Sequence, residues 1–186
     1  MPWPRTKWLR LLQPLPMPRE FSDPYTYPSI SVLRNIPGLR AESALRCLEH
    51  EHAALRIEEL CENPISGWID LVHLKAIHAH VFQDVCEWAG EVRRTNISKE
   101  ASRFAQPAFI EGEAKRFNGE LAAEGNLRSM DKLAFVDCLA HYYAEWSALH
   151  PFLEGSGRAT CELIGKLARG AGFDFDQTRI DNSKDQ

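Results

Sequence analysis

His150-Pro151-Phe152-Leu153-Glu154-Gly155-Ser156-Gly157-Arg158 joins two apolar segments and carries more functional groups than a helical connection needs. Pro151 has no N–H and disfavours helical φ/ψ at the residue before it, so the preceding helix ends at His150. Gly155-Ser156-Gly157 are small enough to turn successive N–H groups into one concavity ahead of a helix N-terminus, a place that attracts phosphate. Arg158 then falls in the first helical turn, where a cation is electrostatically sensible only beside a bound anion. Glu154 opposes that anion until a divalent ion lies between them, and a carboxylate is the hard oxygen ligand that magnesium takes. His150 adds an imidazole that is mostly neutral and basic near pH 7. Base, metal ligand, anion nest and cation thus share one loop.

Outward from the loop, the periodicity is helical. The segment before it is expected to be capped by Ser129, with Leu133, Val136, Ala140, Tyr143 and Trp146 on its buried stripe. The segment after it is expected from about Arg158 to Ala171, with Leu163, Ile164, Leu167 and Ala168 inward and Gly172 beyond its end. Further upstream, Ile110, Ala114, Phe117 and Leu121 align in a helix that follows Pro107 and closes at Gly125-Asn126. Asp70 reads as the N-cap of a helix in which Leu74, Ile77, Val81, Val85 and Trp88 recur at steps of three and four, stopping near Gly90. The first helix runs from about Ala41 to Cys61, with Ala44, Leu48 and Leu55 on one face, and ends before Asn63-Pro64. Only between Val92 and Phe104 does the pattern turn β-permissive. Arg94-Thr95-Asn96-Ile97 and Ser102-Arg103-Phe104, separated by Ser98-Lys99-Glu100-Ala101, read as a small exposed hairpin. Five helices with one hairpin and no βαβ alternation make an all-α domain, which excludes dinucleotide folds of the Rossmann type.

Composition narrows the rest. The chain has 186 residues, 44% hydrophobic and 26% charged, as expected of one globular domain with a single core. Its net charge of −4 provides no general attraction to nucleic acid. The five cysteines, at positions 47, 61, 86, 138 and 161, are dispersed and form no CxxC pair, which argues against a disulfide framework and suits a reducing cytoplasm. No apolar run reaches the roughly 18 residues that cross a bilayer. Residues 1–20 hold five of the eleven prolines and four basic side chains, and read as a disordered extension; residues 181–186 read as a polar tail, leaving 21–180 as the domain.

The remaining polar groups have ordinary readings. His73, His78 and His80 are spaced by five and two, which does not put them on one helix face, so they are read as core or solvated histidines rather than metal ligands. Trp88 and Tyr142-Tyr143 are read as core packing. Arg93, Arg94 and Lys99 are read as charges that keep a hairpin edge soluble.

The loop resembles the signature of the Fic proteins, His-Pro-Phe-x-(Asp/Glu)-Gly-Asn-Gly-Arg-x-x-Arg, against HPFLEGSGRATC at 150–161. DPYTYPSISVLRN at 23–35 and FQDVCEWAGEVRRTNIS at 82–98 are also similar to stand-alone bacterial members, and the likeness covers about Phe21 to Asp176. The resemblance implies a helical domain that transfers AMP from Mg-ATP to a Tyr, Thr or Ser hydroxyl of a target protein, with pyrophosphate leaving. By that resemblance His150 is the general base, Phe152 a buried anchor, and Glu154 the ligand of Mg²⁺. Gly155, Ser156, Gly157 and Arg158 then hold the nucleotide phosphates. The hairpin matches the family's flap, in which Thr95, Asn96, Ile97, Ser98, Lys99 and Phe104 dock an extended target segment by strand addition.

Two positions depart from the signature. Ser156 replaces an Asn whose amide reaches further, and Cys161 replaces an Arg one helical turn after Arg158, so the expected transfer is weakened. Transfer of another phosphate-linked group and a decayed nucleotide- or partner-binding module are the alternatives. Family members are commonly restrained by a Ser/Thr-x-x-x-Glu helix; here no Ser or Thr has Glu four residues on, so any inhibitor is expected to be a separate antitoxin-like partner. The resemblance to toxin members also suggests a type II topoisomerase subunit as target, with no direct contact to nucleic acid or membrane.

Overall fold

The computed structural model describes residues 24–99 and 102–176. The proline-rich stretch 1–20 and the tail 181–186 lie outside the described residues. The chain divides into two units, one ending at Arg34 and one starting at Asn35. In the first, Thr26 and Leu33 form an antiparallel bridge, and the amide of Tyr27 donates to Val32 O at 3.0 Å.

The second unit is built from five helices among the described residues: α1 Glu42–Glu62, α2 Leu71–Phe82, α3 Pro107–Ala123, α4 Lys132–Leu149 and α5 Ser156–Gly170. Nine of the fifteen residues of α5 are buried, which makes it the central helix; α2 and α4 both pack on it, α1 packs on α2, and α3 on α4. The expected buried sets of α3 and α5 are both inward: Ile110, Ala114, Phe117 and Leu121, and Leu163, Ile164, Leu167 and Ala168. Asp70 caps α2 by accepting from the amide of His73 at 2.8 Å. No helix among the described residues is long and apolar enough to cross a membrane, and no disulfide forms among the described residues.

Four expectations are corrected. The buried residues of α1 are Leu45, Ala53 and Leu60, while Leu55 is 60% exposed. Glu49 and Arg56 share the spacing of that inward face because each meets a partner on it, Arg158 and Asp84; two inward charges disguise the stripe from hydrophobic periodicity. In α4 the N-cap is Asp131, which accepts from the amides of Leu133 and Ala134, whereas Ser129 lies in the preceding turn at φ 68°. The buried side chains there are Phe135, Tyr142, Trp146 and Leu149, and Leu133 is 80% exposed. Apolar residues surround this helix, so periodicity alone does not fix its rotation.

The third correction concerns α2, which stops at Phe82 instead of near Gly90. Turns then bring Gly90 back over the helix, where its amide donates to His78 Nδ1 at 2.8 Å. Gly90 has φ +81°, and a Cβ there would lie 2.8 Å from that of Ala79. Last, the hairpin strands are Ser98–Lys99 and Ser102–Arg103, paired Ser98 with Arg103 and Lys99 with Ser102. Residues 94–97 form no strand, since the Thr95 carbonyl is taken by the Arg93 side chain.

Candidate active site

Three local devices shape the loop between α4 and α5. His150 is the C-cap of α4 in the left-handed region, φ 45° and ψ 65°, with its amide donating to Trp146 O at 3.1 Å. A non-glycine residue in that region costs about 1–2 kcal/mol, so surrounding bonds must hold it there. Phe152 is fully buried, and its ring stacks on His78 with centroids 3.8 Å apart. Gly155 is the N-cap of α5 at φ +77°, where a Cβ would stand 2.2 Å from Phe82 Cζ.

Because α5 starts at Ser156, two residues before the expected Arg158, the amides of Ser156, Gly157 and Arg158 belong to its first turn and have no intrahelical acceptor. No side chain among the described residues caps that end. A Cβ on Gly157 would meet nothing within 4 Å, so the turn is open on that side. The Gly155 amide is occupied, donating to Glu154 Oε1 at 3.0 Å.

The Ser156 side chain does not face this opening. It is 2% exposed, accepts from the Phe152 amide at 2.9 Å and donates to the Phe152 carbonyl at 3.0 Å. Arg158 pairs with Glu49 of α1, lies 3.6 Å from Glu154 and stacks on the Phe82 ring at 4.7 Å. Cys161 is placed with its Sγ 4.0 Å from the Tyr143 hydroxyl.

His150 is half-buried, with Nδ1 3.4 Å from Ser147 O and its ring stacked on Phe104 at 3.9 Å. Phe104 therefore joins the flap to the imidazole. Asn96 and Ser98 are exposed and Ile97 is half-buried, while Thr95 Oγ1 is buried without a hydrogen-bond partner among the described residues. Lys99 contributes its backbone to the first flap strand.

Three residues that sequence reasoning missed organise the site. His78, on the apolar face of α2, accepts from Gly90 at Nδ1, which makes Nε2 the donor to Glu154 O at 2.9 Å. Burial holds its pKa down to about 4, with the bond to Glu154 raising it and the Arg158 charge lowering it. Its i, i+4 spacing from Leu74 and to Phe82 was the available signal. Glu49 was hinted at by its four-residue steps from Leu45 and to Ala53. Arg93 had none: far from solubilising an edge, it is 2% exposed and donates to His150 O at 2.7 Å.

Comparison with known proteins identifies the family. The Fic/DOC family pattern matches residues 68–167. The chain is 40% identical to the protein adenylyltransferase VbhT of Bartonella schoenbuchensis over 88% of its own length, and spans about a third (34%) of that protein. It is 37% identical to the probable protein adenylyltransferase Fic of Escherichia coli K12, covering 83% of this chain and 76% of that one. In fold it is similar to the crystal structure of BepC, a VirB-translocated effector of Bartonella tribocorum with bound AMPPNP, at a TM-score of 0.77 and 24% identity over 84% of this chain and 81% of that one. With more than half the chain inside the family pattern and the signature loop set between two packed helices, the protein belongs to the Fic/DOC family.

Proposed function

We propose that the chain transfers AMP from Mg-ATP to a Tyr, Thr or Ser hydroxyl of another protein. The observation that carries this reading is one loop that places an imidazole at the end of α4 and, at the start of α5, a helix N-terminus with Arg158 in its first turn and no side-chain cap among the described residues. With Nδ1 3.4 Å from the Ser147 carbonyl oxygen, Nε2 would serve as the basic nitrogen. His150 takes the proton of the target hydroxyl as its oxygen bonds to the α-phosphorus. The bond from that phosphorus to the bridging oxygen breaks, and pyrophosphate leaves. Main-chain amides of Ser156 and Gly157 stabilise charge on the phosphate in transfer, and Arg158 holds the terminal phosphates. The names of the similar adenylyltransferases support the reaction class.

Glu154 is exposed and fits magnesium as a single carboxylate ligand. Among the described residues no group of three or more His, Cys, Asp or Glu side chains is placed to hold a metal alone, so phosphate oxygens and water would complete its shell. Magnesium bound there would supply neutralisation of phosphate charge. The flap residues Asn96, Ile97, Ser98 and Lys99 align the target by strand addition. We place the chain in the cytoplasm, with a type II topoisomerase subunit as target and a separate antitoxin-like inhibitor.

Two observations favour a second reading. The Ser156 hydroxyl is spent on Phe152 and Arg158 is claimed by Glu49, which suits a nucleotide- or partner-binding module with decayed catalysis. Incubation of the chain and a His150→Ala variant with ATP labelled at the α-phosphate, magnesium and bacterial lysate separates the two. A protein heavier by one AMP, seen by mass spectrometry only with His150 intact, supports transfer. Nucleotide binding without such a product supports the module, and a different added mass supports another phosphate-linked group.

A further inference from the structure

Arg93 lies just before the flap, and its guanidinium is buried among backbone carbonyls. Nε donates to His150 O at 2.7 Å, Nη1 to Thr95 O at 2.8 Å, and Nη2 to Ala105 O and, at 3.3 Å, to Leu149 O. Its amide also donates to Pro151 O at 2.9 Å. Thr95 and Ala105 are the two roots of the hairpin, and Leu149 and His150 form the end of α4. A second tie, from the Ala105 amide to Ala148 O at 3.2 Å, runs between the same two elements.

This placement has a physical logic. The last carbonyls of a helix lack intrahelical donors and carry the negative end of its dipole, so a buried cation there is favoured twice. Five donors in a planar fork reach several carbonyls at once, a geometry no lysine reproduces. The carbonyl of His150 belongs to a residue with φ 45°, a conformation that persists only when its surroundings over-determine it.

We propose that Arg93 is the positioning residue that fixes the flap and the His150 imidazole in one frame, setting how far a hydroxyl carried by the flap stands from the base. It touches neither nucleotide nor target, and acts through the His150 carbonyl and the two flap roots. The phosphate-facing end of the loop is held separately, by His78 on Glu154 O and by Ser156 on Phe152. Perturbing Arg93 should therefore uncouple the flap from the base while sparing phosphate binding. The catalytic meaning of this inference rests on the proposed transfer; its geometric content does not.

The test compares the full chain with Arg93→Lys and Arg93→Gln. Four quantities are read: thermal midpoint, Mg-ATP affinity by calorimetry, amide exchange of residues 95–105, and the NMR signal of the His150 ring. At least one folded variant is expected to bind Mg-ATP within about threefold of the parent, while its flap amides exchange at least tenfold faster and the His150 signal shifts or broadens. In that variant His150-dependent labelling by ATP should fall at least tenfold. Unchanged flap exchange and ring signal in the folded variants would overturn the proposal. So would global unfolding of both, since Arg93 would then hold the fold rather than the flap. A parent chain that gives no His150-dependent label sinks the transfer reading instead, and leaves the exchange and ring measurements to decide the role of Arg93.

Discussion

The Ser156 hydroxyl closes a two-bond ring with Phe152, accepting from its amide and donating to its carbonyl across four residues. The loop is thereby locked against the start of α5, and the only polar group of the Ser156 side chain is spent within the protein. In the proposed transfer, phosphate recognition at this position falls to the main chain.

Ser156→Ala should leave the buried Phe152 amide without its acceptor, at a cost of about 1–3 kcal/mol. For a chain of this size each kcal/mol lowers the midpoint by about 2–4 °C. Scanning calorimetry checks this, and an unchanged midpoint would show that the ring of bonds holds nothing.

Gly155→Ala faces two penalties. The backbone is left-handed, and the new Cβ would meet the Phe82 ring at 2.2–2.3 Å. Left-handed strain of about 1–2 kcal/mol adds to overpacking of about 1–3 kcal/mol. Chemical denaturation should show that loss, and adding Phe82→Leu should recover part of it. Strictly additive losses in the double variant would mean that the ring is not the obstacle.

His78 should make stability depend on acid. Its imidazole ordinarily titrates near 6.5 and is held to about 4 in the folded chain, first by burial. Between those values the unfolded state binds the extra proton, so stability is complete above about pH 6.5 and falls as pH drops toward 4. The integrated loss is of order 3 kcal/mol. Urea midpoints across that window should slope for the parent and flatten in His78→Gln, whose amide can still donate to Glu154 O. Equal slopes would remove His78 as the cause.

Glu49→Gln should release Arg158 from its carboxylate partner. The pair is partly exposed, so its loss is expected to be worth about 1 kcal/mol, or about fivefold tighter binding of Mg-ATP. Calorimetry decides. Weaker binding would mean that Glu49 aims the guanidinium instead of competing with phosphate.

Much of this site was legible from residue types. Pro151 fixed where α4 stops, Gly155 marked the left-handed turn before α5, and Asp70 announced the start of α2 as observed. The inward faces of α3 and α5 followed their apolar spacing. The rotations of α1 and α4 did not, because inward charges interrupt one stripe and apolar residues ring the other.

Local chemistry written along the chain therefore determined the five helices, the Asp70 cap and the residue types of the loop, an imidazole, a carboxylate, glycines and a cation, because each arises from neighbours within a few residues. Tertiary structure alone decided that Glu49 would meet Arg158, that His78 would support Glu154 and that Arg93 would turn inward, over separations of 109, 76 and 57 residues. A buried charge or imidazole is stable only where distant partners converge on it, and no periodicity in a single segment encodes where those partners will stand.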